Sequence, residues 1–499
     1  MKSIKQYSQT LLLLTLLLTL LLSGCGAYLD VNPKSEVTDK ELFSTAEGCE
    51  DAIYGIYAEI GGERNGLYGQ MLAYKYPELM TGNFTINQSD NMAYVVQRQW
   101  THDNAIAVAE EIWTTGYKVI GHVNKALSHI LPKDDSEFRH TRLYKGELLA
   151  LRAFLHFEMA RIFAVSFASG DAAAKAKAIP YVKSYGIQVT PYSSLDKVFE
   201  FIIADLTEAE KYLEEDATLL PVVRDNAMGD FTSNRITHFN LYAVKALLAR
   251  VYMYACDYEK ALAAATEVYD ACSSWFPITT KAEAQNVSGA VKLYEDIIFA
   301  AYDQYLKKNY NSVMLSSQGA TTTFILALRS PKGRFSGETS YDTRYTYTIN
   351  QPDEEEQEDV YASCKYVKYT STQGSDFDKE TTQGALVPVI RMSEIMLIMA
   401  ECKARGESGE GDGDISAAVS DLNLVHKVRC SGRKTVSASD FDTFMSKLEL
   451  EVWKENIGEG QYFFYLKRIN SPTLVSTTQT IQMADKYVFP IPDSETTLK

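Results

Sequence analysis

Groups able to do catalytic chemistry are thinly spread through this 499-residue sequence. Its seven histidines are scattered. There is no H-E-x-x-H, no G-x-S-x-G, no glycine-rich phosphate loop and no metal-spaced cysteine–histidine cluster. Paired carboxylates for glycoside hydrolysis depend on a separation of about 5–10 Å, which is a three-dimensional quantity. With 65 acidic residues, chance pairs are certain. His156 falls within a helical pattern and reads as structural. The loop from Gly406 to Asp414, Gly-Glu-Ser-Gly-Glu-Gly-Asp-Gly-Asp, lacks the spacing and closing glutamate of an EF-hand. It reads as a solvated loop, as does the acidic run from Gln351 to Asp359. The sequence is therefore read as that of a binding protein and not an enzyme, with no cofactor.

One thiol has a definite chemistry. Lys2 and Lys5 make a short positive start, and Leu11 to Leu22 is a leucine run broken only by Thr15 and Thr19. Leu22-Ser23-Gly24-Cys25 follows. A charged start, a short apolar run and small residues at the cut define a secretory signal. The run is too short to span a bilayer, which takes about 20 apolar residues. The order Leu-Ser-Gly-Cys is similar to the bacterial lipobox, in which the cysteine is acylated and becomes the first mature residue. Residues 1–24 are thus expected to be a signal peptide and Cys25 a lipid anchor. Each buried methylene adds about 0.8 kcal/mol of membrane affinity.

The formal charge is −16, and loss of Lys2 and Lys5 makes the mature chain more negative still. The basic footprint of a nucleic-acid binder is missing, and an anionic lipid surface is no docking target. Cys49, Cys256, Cys272, Cys364, Cys402 and Cys430 show no C-x-x-C. They read as small core residues rather than a disulfide framework. Tyrosine is the outlier of the composition, at 32 residues; its ring packs and its tip hydrogen-bonds.

The elements that must position these groups are mostly helical. After Thr38 or Asp39 as cap, Leu42, Ala46, Cys49, Ile53, Ile56 and Ile60 make one apolar stripe that Gly61-Gly62 ends. Residues 63–104 show no sustained period and are rich in glycine, amides and aromatics, which marks a functional loop region. Helical spacing returns at 106–131, 137–167 and 195–212. Residues 237–272 read as a helical hairpin with Ala243, Ala246 and Ala249 at its contact, resembling one tetratricopeptide unit. A second pair is expected at 393–404 and 415–428. Such pairs cannot bury their apolar faces alone and must stack. From about 275 to 390 the period is lost, and strands are expected at 296–301, 343–349 and 366–369. Pro490 and Pro492 make the closing segment extended.

Motifs recur along these elements in a fixed order. Cys25 is followed closely by Tyr28-Leu29-Asp30. Next come Glu111-Ile-Trp113-x-x-Gly-Tyr117-x-x-Ile120-x-x-Val-Asn124 and Gly146-Glu147-x-x-Ala150-x-Arg152-Ala153-x-x-His156-Phe157, then Ile179-Pro180-Tyr181. Arg391-x-x-Glu394-x-x-Leu397-x-x-Ala400-Glu401 precedes the helix from Ala417 to Arg429. Glu459-Gly460-Gln461-Tyr462-x-x-Tyr465-x-Lys467-Arg468 and Pro490-Ile491-Pro492 close the series. Each motif alone is weak. Together, behind a lipobox, they resemble the SusD/RagB family of outer-membrane nutrient-binding lipoproteins over essentially the whole chain. Trp113, Tyr117 and Ile120 read as core, Gly460 as a sharp turn, and Arg152 and Arg391 as helix-surface partners of Glu147 and Glu394. Two departures stand out. Position 465 is tyrosine where the family usually has aspartate, and the asparagine- and proline-rich tail is absent.

The resemblance implies a mainly α fold: a tetratricopeptide-like helix-pair scaffold with a loop-rich, partly β ligand-binding half. The expected division is 25–272 and 273–499. It further implies a lipid-anchored protein on the outer cell surface. Such a protein captures an oligosaccharide, or in some members peptide, and passes it to a SusC-like TonB-dependent transporter. A sugar ring has an apolar face and a hydroxyl fringe, which flat aromatics and polar side chains complement. Trp100 with Asn104, then Tyr302, Tyr305, Tyr310, Phe324 and Tyr341, are the candidate contacts, because they lie in the irregular segments.

Overall fold

A computed structural model describes residues 38–62, 66–84, 91–219, 230–285, 293–314, 331–350, 362–363, 365–366, 382–472, 474 and 487–497. Cys25, Phe324, Cys364, the acidic run 351–359 and residues 367–369 lie outside the described residues.

The principal helices are α1 (Ala46–Gly61), α2 (Asp103–Ile130), α3 (Thr141–Phe163), α4 (Leu195–Tyr212), α5 (Leu241–Tyr254) and α6 (Tyr258–Cys272) in the first half, followed by α7 (Met392–Arg405), α8 (Ile415–Arg429), α9 (Phe441–Asn456) and α10 (Gln461–Arg468). From α2 to α8 each helix in this series packs on the next, and α9 closes on α7 and α8. The expected pairing of helices is therefore realised as one continuous stack. In the α5–α6 hairpin the Asn240 side chain caps α5 by accepting from the Ala243 amide, and Asp257 caps α6 by accepting from Lys260. Ala243, Ala246 and Ala249 are buried, as are Ala261 and Ala265 of α6, so small side chains let the two backbones approach.

At the centre of the stack lies α3, with every residue except Arg142 buried. A helix buried on all sides must give each of its charged residues a partner, since an unpaired buried charge is costly. Arg152 accordingly forms a bidentate pair with Asp205 of α4, Nε to Oδ2 at 2.7 Å and Nη2 to Oδ1 at 2.8 Å. Glu147 receives Arg235 and His238. Arg391 pairs with Asp296 and Glu459, and Glu394 with Arg250. The expectation of surface pairs Arg152–Glu147 and Arg391–Glu394 is thus corrected. These arginines hold separate elements together from the interior.

Three β-ribbons are described: β1 (Lys177–Pro180) with β2 (Tyr192–Ser194), β3 (Ile297–Tyr302) with β4 (Leu386–Arg391), and a two-residue pairing of 349–350 with 362–363. All are antiparallel.

Four local expectations are corrected. The first stripe is two helices, because Thr38 caps Asp39–Leu42 in a capping box with Glu41 and Thr45 caps α1 through Gly48. The predicted 137–167 helix is shorter at both ends. Residues 343–349 form a helix over Thr343–Thr348 rather than a strand. Their alternation imitates a strand, but Asp342 caps the turn by accepting from the Arg344 amide, and Arg344 is buried among Asp342, Glu451 and Glu455.

The region 63–104 contains a π-helix over Leu67–Lys75, running into a short helix over Tyr76–Met80. Leu67 to Tyr74 are all buried. A helix with i→i+5 bonding and apolar contact all round carries no 3.6-residue stripe, so the sequence hid it.

Candidate ligand-binding site

The β3–β4 ribbon is buried along its length until its last residue. Ile297 opposes Arg391 at one end and Tyr302 opposes Leu386 at the other. Ile297 to Ala301 are buried, whereas Tyr302 is 45% exposed. The backbone of Tyr302 is pressed against the end of α1: a Cβ on Gly61 would lie 2.5 Å from the Tyr302 carbonyl oxygen. The chain then turns on Asp303. Its amide donates to Ala385 O at 2.8 Å, and its carboxylate accepts from the Tyr305 amide at 2.8 Å and the Asn309 amide group at 2.9 Å. The next helix begins at Leu306. Tyr305, on the turn itself, is 50% exposed.

Two exposed rings thus stand three residues apart on a turn whose backbone is held from three sides. Below them Gln70 of the π-helix donates to Asn309 O and to Ser312 Oγ, each at 3.2 Å. This ties the turn to the buried segment 67–75.

The other candidates lie elsewhere. Tyr310 is fully buried. Its hydroxyl donates to Ser363 O at 2.6 Å, and its ring meets Tyr74 and Tyr366 edge-on at 5.1 Å each. Tyr341 is half-buried, 5.7 Å below the Arg433 guanidinium. Trp100 is half-buried with its ring 4.7 Å from that of Phe489, and its indole N–H is enclosed with no partner among the described residues. Asn104 lies in the first turn of α2, where its amide donates to His102 Nδ1 at 3.2 Å. Of the predicted contacts, the structure brings together Tyr302 and Tyr305 as surface rings.

Sequence reading passed over the loop between β1 and β2. There Tyr185, Ile187 and Val189 are among the most exposed large apolar side chains described. The alternation Tyr-Gly-Ile-Gln-Val was the available signal.

Glu338, His426 and Cys430 place their ligand atoms within 4.8 Å of one another. That set already has a cation: Lys454 Nζ lies 2.6 Å from Glu338 and 2.8 Å from Glu451. Burial also pushes the Cys430 thiol up, holding it protonated. These residues read as one more buried ion-pair cluster.

Comparison with known families gives the arrangement its context. Residues 27–253 match a SusD-like model described as starch-binding and associating with the outer membrane, and residues 291–488 match the SusD family model. The chain belongs to the SusD/RagB family. The SusD-like fold is seen directly in solved structures. A SusD superfamily protein of Bacteroides thetaiotaomicron superposes with a TM-score of 0.70 at 20% identity, over 91% of this chain and 98% of that one. A SusD-like carbohydrate binding protein of Bacteroides vulgatus does so with a TM-score of 0.64 at 18% identity, over 90% and 96%. A SusD-like protein of Formosa agariphila is 26% identical over 289 residues; the match spans 56% of this chain and 48% of that protein. As a SusD-family member the chain is a binding protein and not an enzyme.

The family motifs now have physical meanings. Gly460 has φ +73°, and a Cβ there would lie 2.1 Å from Ala73 O, so the α9–α10 corner requires glycine. Its amide donates to Glu78 at 2.9 Å. Tyr465, where the family usually has aspartate, is buried, and its hydroxyl has no partner among the described residues.

Proposed function

We propose that this SusD-family protein is a cell-surface lipoprotein, anchored through Cys25. It captures an oligosaccharide and delivers it to a SusC-like TonB-dependent transporter. The exposed pair Tyr302–Tyr305 carries the ligand part of this reading. Exposing two large aromatics on a fixed turn, in a molecule that buries most of its rings, makes sense if the rings receive a ligand with a flat apolar face. Pyranose rings have such a face. The matched family model is described as starch-binding, and one structural relative as a carbohydrate binding protein. Dissociation constants of micromolar to millimolar order need only about 4–8 kcal/mol, which a few such contacts supply. The net charge of −16 favours neutral over acidic polymers.

The test is affinity electrophoresis of the purified mature chain through gels containing neutral polysaccharides, alongside titration with peptide mixtures. Retardation by a polysaccharide is expected. A chain that no polysaccharide retards and that binds peptide would move the ligand class to peptide on the same scaffold.

A further inference from the structure

A cavity of about 70 Å³ lies between α5, α7 and the α9–α10 corner. Its lining carboxylates are all engaged: Glu394 by Arg250, Glu401 by Arg468, Glu455 by Arg429 and Glu459 by Arg391. Donors are left over. Arg161 Nε, Arg250 Nη1 and Gln461 Nε2, with the hydroxyls of Ser393 and Tyr465, have no hydrogen-bond partner among the described residues. Arg161, Arg250, Ser393 and Tyr465 are each less than one-tenth exposed.

The remaining atoms of these groups show why the surplus is of donors. Arg250 gives Nε to Glu394 Oε1 at 2.6 Å and Nη2 to Val389 O at 2.7 Å. Arg161 gives Nη2 to both carboxylate oxygens of Glu158 at 2.5 Å and Nη1 to Gln461 Oε1 at 2.9 Å, which leaves its Nε over and fixes the Gln461 amide with its NH₂ group unpaired. No lining carboxylate oxygen is left in that state. A guest must therefore bring acceptors. A water needs at least about 10–15 Å³ of such space, so this volume takes a guest of several heavy atoms. Half-exposed Glu394, Asn456 and Gln461 line it as well and give it a way out to solvent.

We propose that this cavity is a binding site for a small oxyanion, a carboxylate or a tetrahedral phosphate or sulfate, separate from the tyrosine pair. Arg391 lines it and opposes Ile297, whereas the exposed ring of Tyr302 lies at the other end of β3. At about 3.3 Å per strand residue the two are roughly 17 Å apart. Arginine forks and amide N–H groups are the donors that recognise planar and tetrahedral oxyanions.

The test is calorimetric titration of the whole mature chain with sodium acetate, sulfate and phosphate in turn, at constant ionic strength set with chloride. Saturable 1:1 binding of at least one is expected. Acetate alone responding identifies a carboxylate site; sulfate or phosphate responding identifies a tetrahedral one. Gln461→Glu keeps the acceptor for Arg161 and puts a carboxylate where the free NH₂ group stands, so it should weaken binding at least tenfold. Absence of saturable binding by all three, or unchanged binding in Gln461→Glu, overturns the proposal. If that variant does not fold, a wild-type crystal soaked in selenate decides: anomalous signal between Arg161 and Arg250 supports the site, and water density alone removes it.

Discussion

Arg391 grips Glu459 with two nitrogens, Nε to Oε2 at 2.9 Å and Nη2 to Oε1 at 2.6 Å, across 68 residues of sequence. Lys365 adds a third bond to Glu459 at 2.7 Å, and Arg391 Nη1 reaches Asp296 at 2.8 Å. Burial pushes the Glu459 carboxyl up, but Arg391 and Lys365 together bring it below the ordinary value. The cluster ties β4, the 296 turn and the α9–α10 corner into one unit. Removing one member of such a buried set leaves the others uncompensated, at a cost of about 3–5 kcal/mol. Glu459→Ala should lose that much in urea denaturation, with Glu459→Gln losing less. A loss under about 1 kcal/mol would mean that the cluster is not a structural clamp.

Tyr302→Ala and Tyr305→Ala should each weaken glycan binding about tenfold, equivalent to about 1.4 kcal/mol. Both rings are half exposed, so the melting temperature should hardly move, as for other surface changes within about 0.5 kcal/mol. Unchanged retardation in the double variant would remove this turn from the ligand site.

Trp100 should behave differently. Its ring packs on Phe489, and truncation should cost roughly 2–3 kcal/mol, less than the 3–5 of a fully buried aromatic. Glycan affinity of a folded Trp100→Ala should stay within about twofold of the parent, less than 0.5 kcal/mol. A selective loss of affinity with stability intact would return Trp100 to the ligand site.

Two buried groups make stability depend on pH in opposite directions. His156 sits between Arg152 O and the Val182 amide; its Nε2 accepts from that amide at 2.9 Å, so only the neutral ring fits. Burial lowers its pKa to about 3. Its contribution is therefore complete above the unfolded value near 6.5 and is lost as pH falls toward 3. Glu78 is the reverse: burial pushes it up to about 7. Its contribution is complete below about 4.5 and is lost as pH rises through 7. Each slope is about 1.4 kcal/mol per pH unit within its window. Glu78→Gln, which can still accept from Gly460, should match the parent near pH 4.5 and exceed it increasingly up to pH 7. A constant difference between the two across that range would show that Glu78 is already ionised in the fold.

Under the proposed acylation of Cys25, Cys25→Ser should move the protein from the membrane fraction to the soluble fraction of cells, because acyl chains on that cysteine would be the anchor. Retention in the membrane fraction would assign attachment to another element.

Helix positions were legible where apolar residues keep the helical spacing over several turns. Residues 195–212 and the 237–272 hairpin follow a 3.6-residue apolar stripe, and the structure forms α4, α5 and α6 there. Legibility failed where no 3.6-residue stripe is sustained or the period is deceptive. The π-helix at 67–75 is buried from Leu67 to Tyr74 and carries no 3.6-residue stripe, and the alternating run at 343–348 was turned into a helix by the cap from Asp342. Of the candidate contacts, Tyr302 and Tyr310 look alike as sequence, yet one ring is at the surface and the other in the core.

What the sequence by itself determined was the order of elements and the family they spell, because these depend on local spacing and residue type. Which charges pair, which rings stay exposed and where a donor-lined cavity forms depended on contacts such as Arg161 with Gln461, 300 residues apart. Local periodicity says which face of a helix is apolar. Only the packing of all the helices together fixes which polar groups are buried with a partner and which without.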